Sequence, residues 1–237
     1  MKPLILLTSA LNTKFGVHST EQRIAQTIDS INSIKKYCPS AKIGIVEMAG
    51  ISPTAEQLQT FFLHADYVLD FTHDEAVIGI FNSTSNWDIV KNTTEVMVFA
   101  NALSQLQANG EISKFDRVFK MSGRYQLTEN FDHDYYDTVS DRIVILNRKA
   151  SHFPAELTGA IPYQYMSRLW SWPADRTQSI IDSYGTGFIA MAERLAAGGY
   201  FDIEHMLYRY LPAELVTEVP KVGLRGLLGP NGVAIED

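Results

Sequence analysis

The sequence predicts an α/β fold: a single domain over residues 1–237, with a mostly parallel central sheet flanked by helices. Three observations predict it. A continuous apolar run opens a strand at residues 4–8, as expected of a parallel strand buried on both faces. Short apolar runs recur at 43–46, 66–71 and 118–121. Between them lie longer stretches whose apolar residues step by three and four, the period of a helix buried on one face. Such alternation gives right-handed crossovers and a sheet covered by helices. A chain of 237 residues, 46% of them hydrophobic, suffices for one such domain with a sizeable core.

In order, residues 9–17 are polar and irregular. Ser19 and Gln22 have capping-box spacing and open a helix in which Ile24, Ile28, Ile31 and Ile34 share a face. Tyr37-Cys38-Pro39 ends it, and the strand at 43–46 closes at Glu47. A shorter helix over 51–64 opens at Ser52-Pro53, with Pro at the first helical position. The third strand spans 66–71. Residues 72–91 have no clean period and form a long connection rich in Asn, Ser and Thr. Asn92 and Glu95 repeat the capping spacing ahead of an amphipathic helix marked by Val96, Phe99, Leu103 and Leu106.

The central strand follows, and then another at 142–146. Residues 163–172 form one more, at an edge or simply extended. A helical pattern over 174–195 is interrupted by Gly185 and Gly187, each of which costs about 1 kcal/mol in a helix interior. Gly198-Gly199 stops it. Asp202 caps a short helix with Ile203, Met206, Leu207 and Tyr210 facing inward, and Pro212 ends it. A strand at 215–219 and a Gly-rich segment at 223–232 close the chain.

The central stretch, Phe115-Asp-Arg-Val-Phe-Lys-Met-Ser-Gly-Arg-Tyr-Gln-Leu127, organises the rest. Val118, Phe119 and Met121 are its buried run; it breaks at Ser122-Gly123 and resumes at Arg124, Tyr125 and Leu127. Glycine at a break permits a sharp turn or a close approach by a ligand. Lys120 and Arg124 flank the break, and ligands of α/β sheets bind at the carboxyl ends of strands. Two cations there point to an anionic ligand, most simply phosphate.

Composition excludes other classes. With 20 Lys+Arg against 27 Asp+Glu and no basic stripe, the chain is no general nucleic-acid binder. One cysteine, Cys38, excludes a disulfide framework and a Cys-based zinc site, and fits a reducing, cytoplasmic compartment. The run at residues 4–7 is too short for a membrane span or a signal peptide. No phosphate loop, dinucleotide fingerprint or hydrolase elbow follows the strands. Asp132, His133 and Asp134 include ligand types for a metal, in a polar loop.

The order of elements resembles the GT-A-type nucleotide-sugar glycosyltransferases. Phe119-Lys-Met-Ser-Gly-Arg-Tyr125 is similar to the Lys-x-Ser-Gly-Arg-Tyr signature of small glycosyltransferase-like proteins from bacterial and phage polysaccharide gene sets, and Asp202-Ile-Glu-His-Met-Leu-Tyr208 is similar to their second recurring segment. The resemblance implies a nucleotide-binding part over 1–127 and an acceptor-side part over 128–237. It also implies a nucleotide-sugar donor, UDP-sugar favoured, and a saccharide or other hydroxyl acceptor. Thr8, Ser9, Ala10, Leu11 and Asn12 stand where the family holds base and ribose, and Glu47 is placed to accept from a uracil imide or a ribose hydroxyl.

The chain departs from the family at one point. The family's central strand ends in Asp-X-Asp, which holds a divalent metal against the diphosphate; here the place reads Met121-Ser122-Gly123-Arg124. The expectation is therefore that no metal is required, although Mn²⁺ or Mg²⁺ could still be recruited elsewhere. Fixed cations can supply the same electrostatic stabilisation. Lys120 and Arg124 lead, with Arg23, Lys91, Arg168 and Arg225 from other segments and Ser122, Gly123 and Tyr125 completing the turn. The cluster of Asp202, Glu204 and His205 offers the base for an acceptor hydroxyl. Two alternatives stay open: a nucleotide-sugar-binding module without turnover, and an unrelated α/β enzyme acting on a phosphorylated ligand.

Overall fold

The computed structural model of the chain describes residues 1–228 and 232–237, so the closing Gly-rich segment lies partly outside the described residues, at 229–231. Every residue of β1 (Pro3–Ser9) is buried. Its alternate side chains serve two cores: Leu4 and Leu6 pack on one face of the sheet, Ile5 and Leu7 on the other. α1 (Thr20–Tyr37) starts at the Ser19–Gln22 capping box and is followed by β2 (Lys42–Glu47). α2 (Ala55–His64) starts later than the Ser52-Pro53 signal suggests, because Thr54 forms its own capping box with Gln57. β3 (Tyr67–Asp70) follows.

The stretch expected to be one long connection is largely helical. α3 (Glu75–Ser83) occupies its middle, and α4 (Trp87–Ala108) begins where Asn86 accepts from the amides of Asp88 and Ile89. Asn92 is therefore inside the helix; its amide donates to Asp88 and to the Tyr200 hydroxyl instead of capping. β4 (Arg117–Ser122), β5 (Tyr125–Leu127), α5 (Tyr135–Thr138) and β6 (Ile143–Leu146) come next. β7 (Lys149–Ala150), α6 (Ala155–Thr158) and β8 (Tyr163–Gln164) form a small excursion.

The strand expected over 163–172 is in fact two. β8 pairs with β7, while β9 (Leu169–Pro173) lies inside the sheet, antiparallel to both β4 and β6. Burial on both faces explains its sequence, since Trp170 and Trp172 are core residues. α7 (Thr177–Ala196) runs unbroken through Gly185 and Gly187. Gly187 serves contact: a Cβ there would sit 2.3 Å from Met206 Cγ, so its absence lets α8 (Ile203–Tyr210) seat closely. β10 (Val216–Val219), β11 (Leu224–Leu227) and β12 (Ala234–Glu236) complete the chain.

The main sheet has seven strands in the order β10-β6-β9-β4-β1-β2-β3, and all pairs except those of β9 are parallel. Residues of α4, α7 and α8 cover one face. Residues of α1, Phe61 of α2 and the small β12-β11-β5 sheet cover the other. Arg117 anchors the amino end of β4 although it is 1% exposed. Its guanidinium donates to the carbonyls of Val139 and Arg142 and to Ser171 Oγ, and burial pulls its pKa down to about 10. Among the described residues no helix is long and apolar enough to cross a membrane.

Candidate functional site

A cavity of about 600 Å³ opens at the carboxyl ends of β1 and β4, where α/β sheets bind ligands. Its floor is Thr8, Ser9 and Ala10 from the end of β1, with Ser122 from β4. One wall is the face of α4 that carries Trp87, Asp88, Lys91 and Glu95, residues three and four apart and hence on one side of a helix. Asp202 and Glu204 at the start of α8 and Ser167 before β9 form another wall.

The expected cations sort into engaged and free. Lys120, expected to hold phosphate, lies beneath the floor at 0% exposure. Its ammonium is 2.6 Å from Glu95 Oε1 and donates to Ser122 Oγ at 3.1 Å and to the Ser167 carbonyl at 2.7 Å. All three donors are taken, so its part is to neutralise Glu95 and brace the floor. Burial pushes the Glu95 carboxyl up, but Lys120, Lys91 and Arg124 together hold it below the usual carboxylate range.

Arg23 donates to the carbonyls of Ala10, Phe15 and His18, which makes it a staple for the loop after β1. Arg168 lines the cavity, but its guanidinium is paired with Asp237. Lys91 stands exposed on the wall; burial lowers its pKa, and the nearby Glu204 and Glu95 carboxylates more than offset this and raise it. Arg124 lines the cavity and, among the described residues, makes no ion pair or hydrogen bond. Its Nε is buried without a partner, and the nearest stabilising contact is the Tyr125 ring, 6.0 Å from the guanidinium carbon. An unpaired buried donor on a charged group is costly unless a ligand satisfies it.

Four expected contacts, Glu47, Leu11, Asn12 and Gly123, do not line the cavity. Glu47 is fully buried and does not face the cavity. It accepts from Ser9 Oγ at 2.5 Å and from the amides of Leu11 and Ala49 at 2.9 and 3.0 Å, so it shapes the turn after β1 instead of reading a base. Burial pushes its carboxyl up against the pull of those bonds. Leu11 is a core residue at 1% exposure, and the Asn12 amide is engaged by Ser52, Gln57 and Thr20. Gly123 also stays off the cavity: its amide donates to the Thr8 carbonyl at 2.9 Å, and a Cβ would sit 3.1 Å from that oxygen. The glycine thus serves the close approach of two strand ends and not that of a ligand.

The role of Glu47 gives a stability prediction. Glu47→Ala strands two buried amides and a hydroxyl, at about 1–3 kcal/mol for each unsatisfied group. Urea unfolding is expected to show a loss of several kcal/mol by that reckoning, with Glu47→Gln losing less because it keeps an acceptor. A midpoint unchanged in Glu47→Ala contradicts the assignment.

On α8, Asp202 is the N-cap and its Oδ1 takes both the His205 amide at 3.0 Å and the His205 ring nitrogen Nδ1 at 2.5 Å. His205 is 0% exposed, with Nε2 2.7 Å from Ser151 Oγ, so the imidazole expected as a base does not reach the cavity. Burial pushes Asp202 up, but its bonds to His205 bring it below the usual range. Glu204 does line the cavity and accepts from Ser167 Oγ at 2.6 Å. Burial raises its pKa, Lys91 opposes this, and Asp202 adds to it, with a net upward shift.

The residues do not fit a carboxylate-held metal at the end of β4. Arg124 stands there, Glu95 is paired with Lys120, and both Asp88 oxygens are engaged by Asn92 and Tyr200. Of the suggested loop cluster, Asp132 accepts the Tyr135 amide. His133, Asp134 and Asp137 are the group close enough to share an ion among the described residues, within 4.8 Å of one another, and none of them lines the cavity.

Sequence reasoning missed Trp87, Asp88, Glu95, Ser167 and Phe153 as cavity residues. The signal for the first three was present in their spacing, and it becomes readable once Asn86 is taken as the cap.

No protein-family model matches the chain, and no curated protein matches it. Solved structures do. The galactosyltransferase LgtC, in complex with donor and acceptor sugar analogs, is similar at a TM-score of 0.55 and 9% identity, over 91% of this chain and 73% of that one. An active-site mutant of LgtC is similar at a TM-score of 0.55 and 9% identity, over 91% and 72%. Identity this low shows the fold alone: an α/β, GT-A-like architecture with a mostly parallel sheet flanked by helices.

Proposed function

We propose that the chain is a glycosyltransferase that moves a sugar from a nucleoside-diphosphate sugar, a UDP-sugar favoured, to a hydroxyl of a saccharide or other acceptor, with no Asp-X-Asp-bound metal. The observation that carries this reading is the guanidinium of Arg124, without a hydrogen-bond or ion-pair partner among the described residues, held at the carboxyl ends of β1 and β4 in a cavity large enough for such a donor. Arg124 binds the diphosphate through its fork, and Lys91 adds a second positive charge on the facing wall. Thr8, Ser9 and Ala10, which line the cavity at the end of β1, border the nucleoside.

Glu204 takes the proton of the acceptor hydroxyl. That oxygen attacks the anomeric carbon, the bond from carbon to diphosphate oxygen breaks, and its electron pair leaves on the diphosphate. Arg124 and Lys91 stabilise the charge that develops there. The free, buried thiol of Cys38, pushed up to about 11 by burial, suits a reducing, cytoplasmic setting.

The test is a pH–rate profile with a UDP-sugar panel, following release of UDP. Glu204 must be ionised to act, and burial has moved it up. The rate is expected to fall as pH drops through a carboxyl group lying above the ordinary glutamate range. Glu204→Gln is expected to remove that acid limb and to lower kcat by about 10²–10⁴, the usual range for a general base. A Glu204→Gln enzyme with unchanged kcat excludes this base. Nucleotide-sugar binding without any UDP release would instead select the binding-module reading.

A further inference from the structure

Depth in the cavity can be read along α4. Glu95 lies at the bottom, 7% exposed and paired with Lys120, and Trp87 stands 40% exposed. Eight residues separate them, about 12 Å of helix at 1.5 Å per residue, with Lys91 midway. Arg124 and Lys91 therefore mark the deep, cationic part, and Trp87 marks the mouth.

The mouth has a different chemistry. Phe153 lines the cavity beside Trp87's end of α4, its ring edge-on to Tyr200 with centroids 5.4 Å apart, and the Tyr200 hydroxyl donates to Asp88 at 2.7 Å. Ser151 Oγ fixes the same loop by bonding the Phe153 amide at 3.0 Å and its carbonyl at 3.1 Å. Asp202 also lines this region; its Oδ1 is taken by His205, while Oδ2 has no partner among the described residues.

We propose that the mouth between Trp87 and Phe153 is the acceptor subsite and takes a neutral saccharide. This rests on the transferase reading and names the acceptor that reading left open. A pyranose has one face of C–H groups and a rim of hydroxyls. The C–H face packs on an exposed aromatic ring, and the hydroxyls donate to Oδ2 of Asp202, with the engaged carboxylate of Asp88 adding negative charge beside it. The same carboxylates repel a phosphorylated acceptor and make a poor surface for a lipid chain. Glu204 lies within the field of Lys91, which is about one turn of α4 below Trp87, so a sugar seated at the mouth presents a hydroxyl downward to the base.

Tryptophan fluorescence tests this without altering the chain. Of the 3 tryptophans, Trp170 and Trp172 are 1% and 0% exposed, so emission open to acrylamide comes from Trp87. Lactose, maltose and cellobiose are titrated separately, each with and without UDP. At least one is expected to lower the quenching constant two-fold or more. Trp87→Ala is expected to raise the KM for that disaccharide about ten-fold with little change in kcat, the equivalent of about 1.4 kcal/mol. If no disaccharide protects Trp87 while UDP binds, the subsite assignment fails and the transferase reading stands. If UDP alone protects it as well as any sugar, Trp87 belongs to the donor and the proposal also fails. If a disaccharide protects but no nucleotide binds, the mouth is a saccharide site but not an acceptor subsite, and the proposal falls with the transferase reading.

Discussion

Arg124→Ala weakens nucleoside-diphosphate binding about ten- to a hundred-fold, since a charge-assisted bond to phosphate contributes about 1.5–3 kcal/mol. The guanidinium meets the ligand with no hydrogen bond or ion pair of its own to break among the described residues. Arg124→Lys recovers part of the loss: the charge returns, but an ammonium cannot span two phosphate oxygens as a planar fork does. Calorimetry with UDP measures both variants. EDTA changes the affinity of the unaltered protein little. If binding instead collapses in EDTA and returns with Mn²⁺ while Arg124→Ala is near neutral, the metal-independent mechanism is wrong, and Glu204, which lines the cavity where Asp132 and Asp134 do not, becomes the leading ligand.

Lys120→Met destabilises the fold by about 3–5 kcal/mol, the usual consequence of removing one member of a buried ion pair. The loss comes less from the missing attraction than from Glu95, which stays 7% exposed with its charge no longer neutralised. Replacing both partners by apolar residues, Lys120→Met with Glu95→Leu, restores much of the stability. Urea unfolding measures all three. The pair also sets a pH dependence. Glu95 is held below the usual carboxylate range in the folded state, so its contribution is present above the unfolded carboxylate pKa and is lost as pH falls through the folded value. In Lys120→Met the dependence weakens or reverses, because burial alone raises a carboxyl. A single variant within about 0.5 kcal/mol of the unaltered protein, the size of an ordinary surface change, contradicts the structural role.

The sheet and its helices were legible because their signals are local. The apolar run of β1, the isoleucine stripe of α1 and the break after Met121 each state their own structure. The misplaced start of α4 followed from two residues able to cap, Asn86 and Asn92, of which only the structure shows which is buried. The central position of β9 was not legible, since pairing order depends on contacts far apart in sequence. At the site, sequence identified which charged groups gather but not which partner each finds. Lys120 and Arg124 are four residues apart, yet one is sealed against Glu95 and the other faces the cavity, a difference made by the turn at Gly123–Arg124, which ends β4 after Ser122, and by α4. His205 was likewise a reasonable base by type, but its two ring nitrogens are held by Asp202 and Ser151.

The place of β9 has a consequence during synthesis. Strands β4, β1, β2 and β3 all come from residues 3–122 and pair side by side, while the strand that covers the outer edge of β4 emerges only with residues 169–173. Until then a nascent chain presents β4 as a bare edge rich in Val118, Phe119 and Met121, the kind of strand that recruits its counterpart from a neighbouring ribosome. Arg117 and Lys120 sit on that same strand. Charges on an open edge oppose pairing between chains, because each would have to be desolvated against an identical charge. The two buried cations that brace the finished sheet thus also guard the unfinished one.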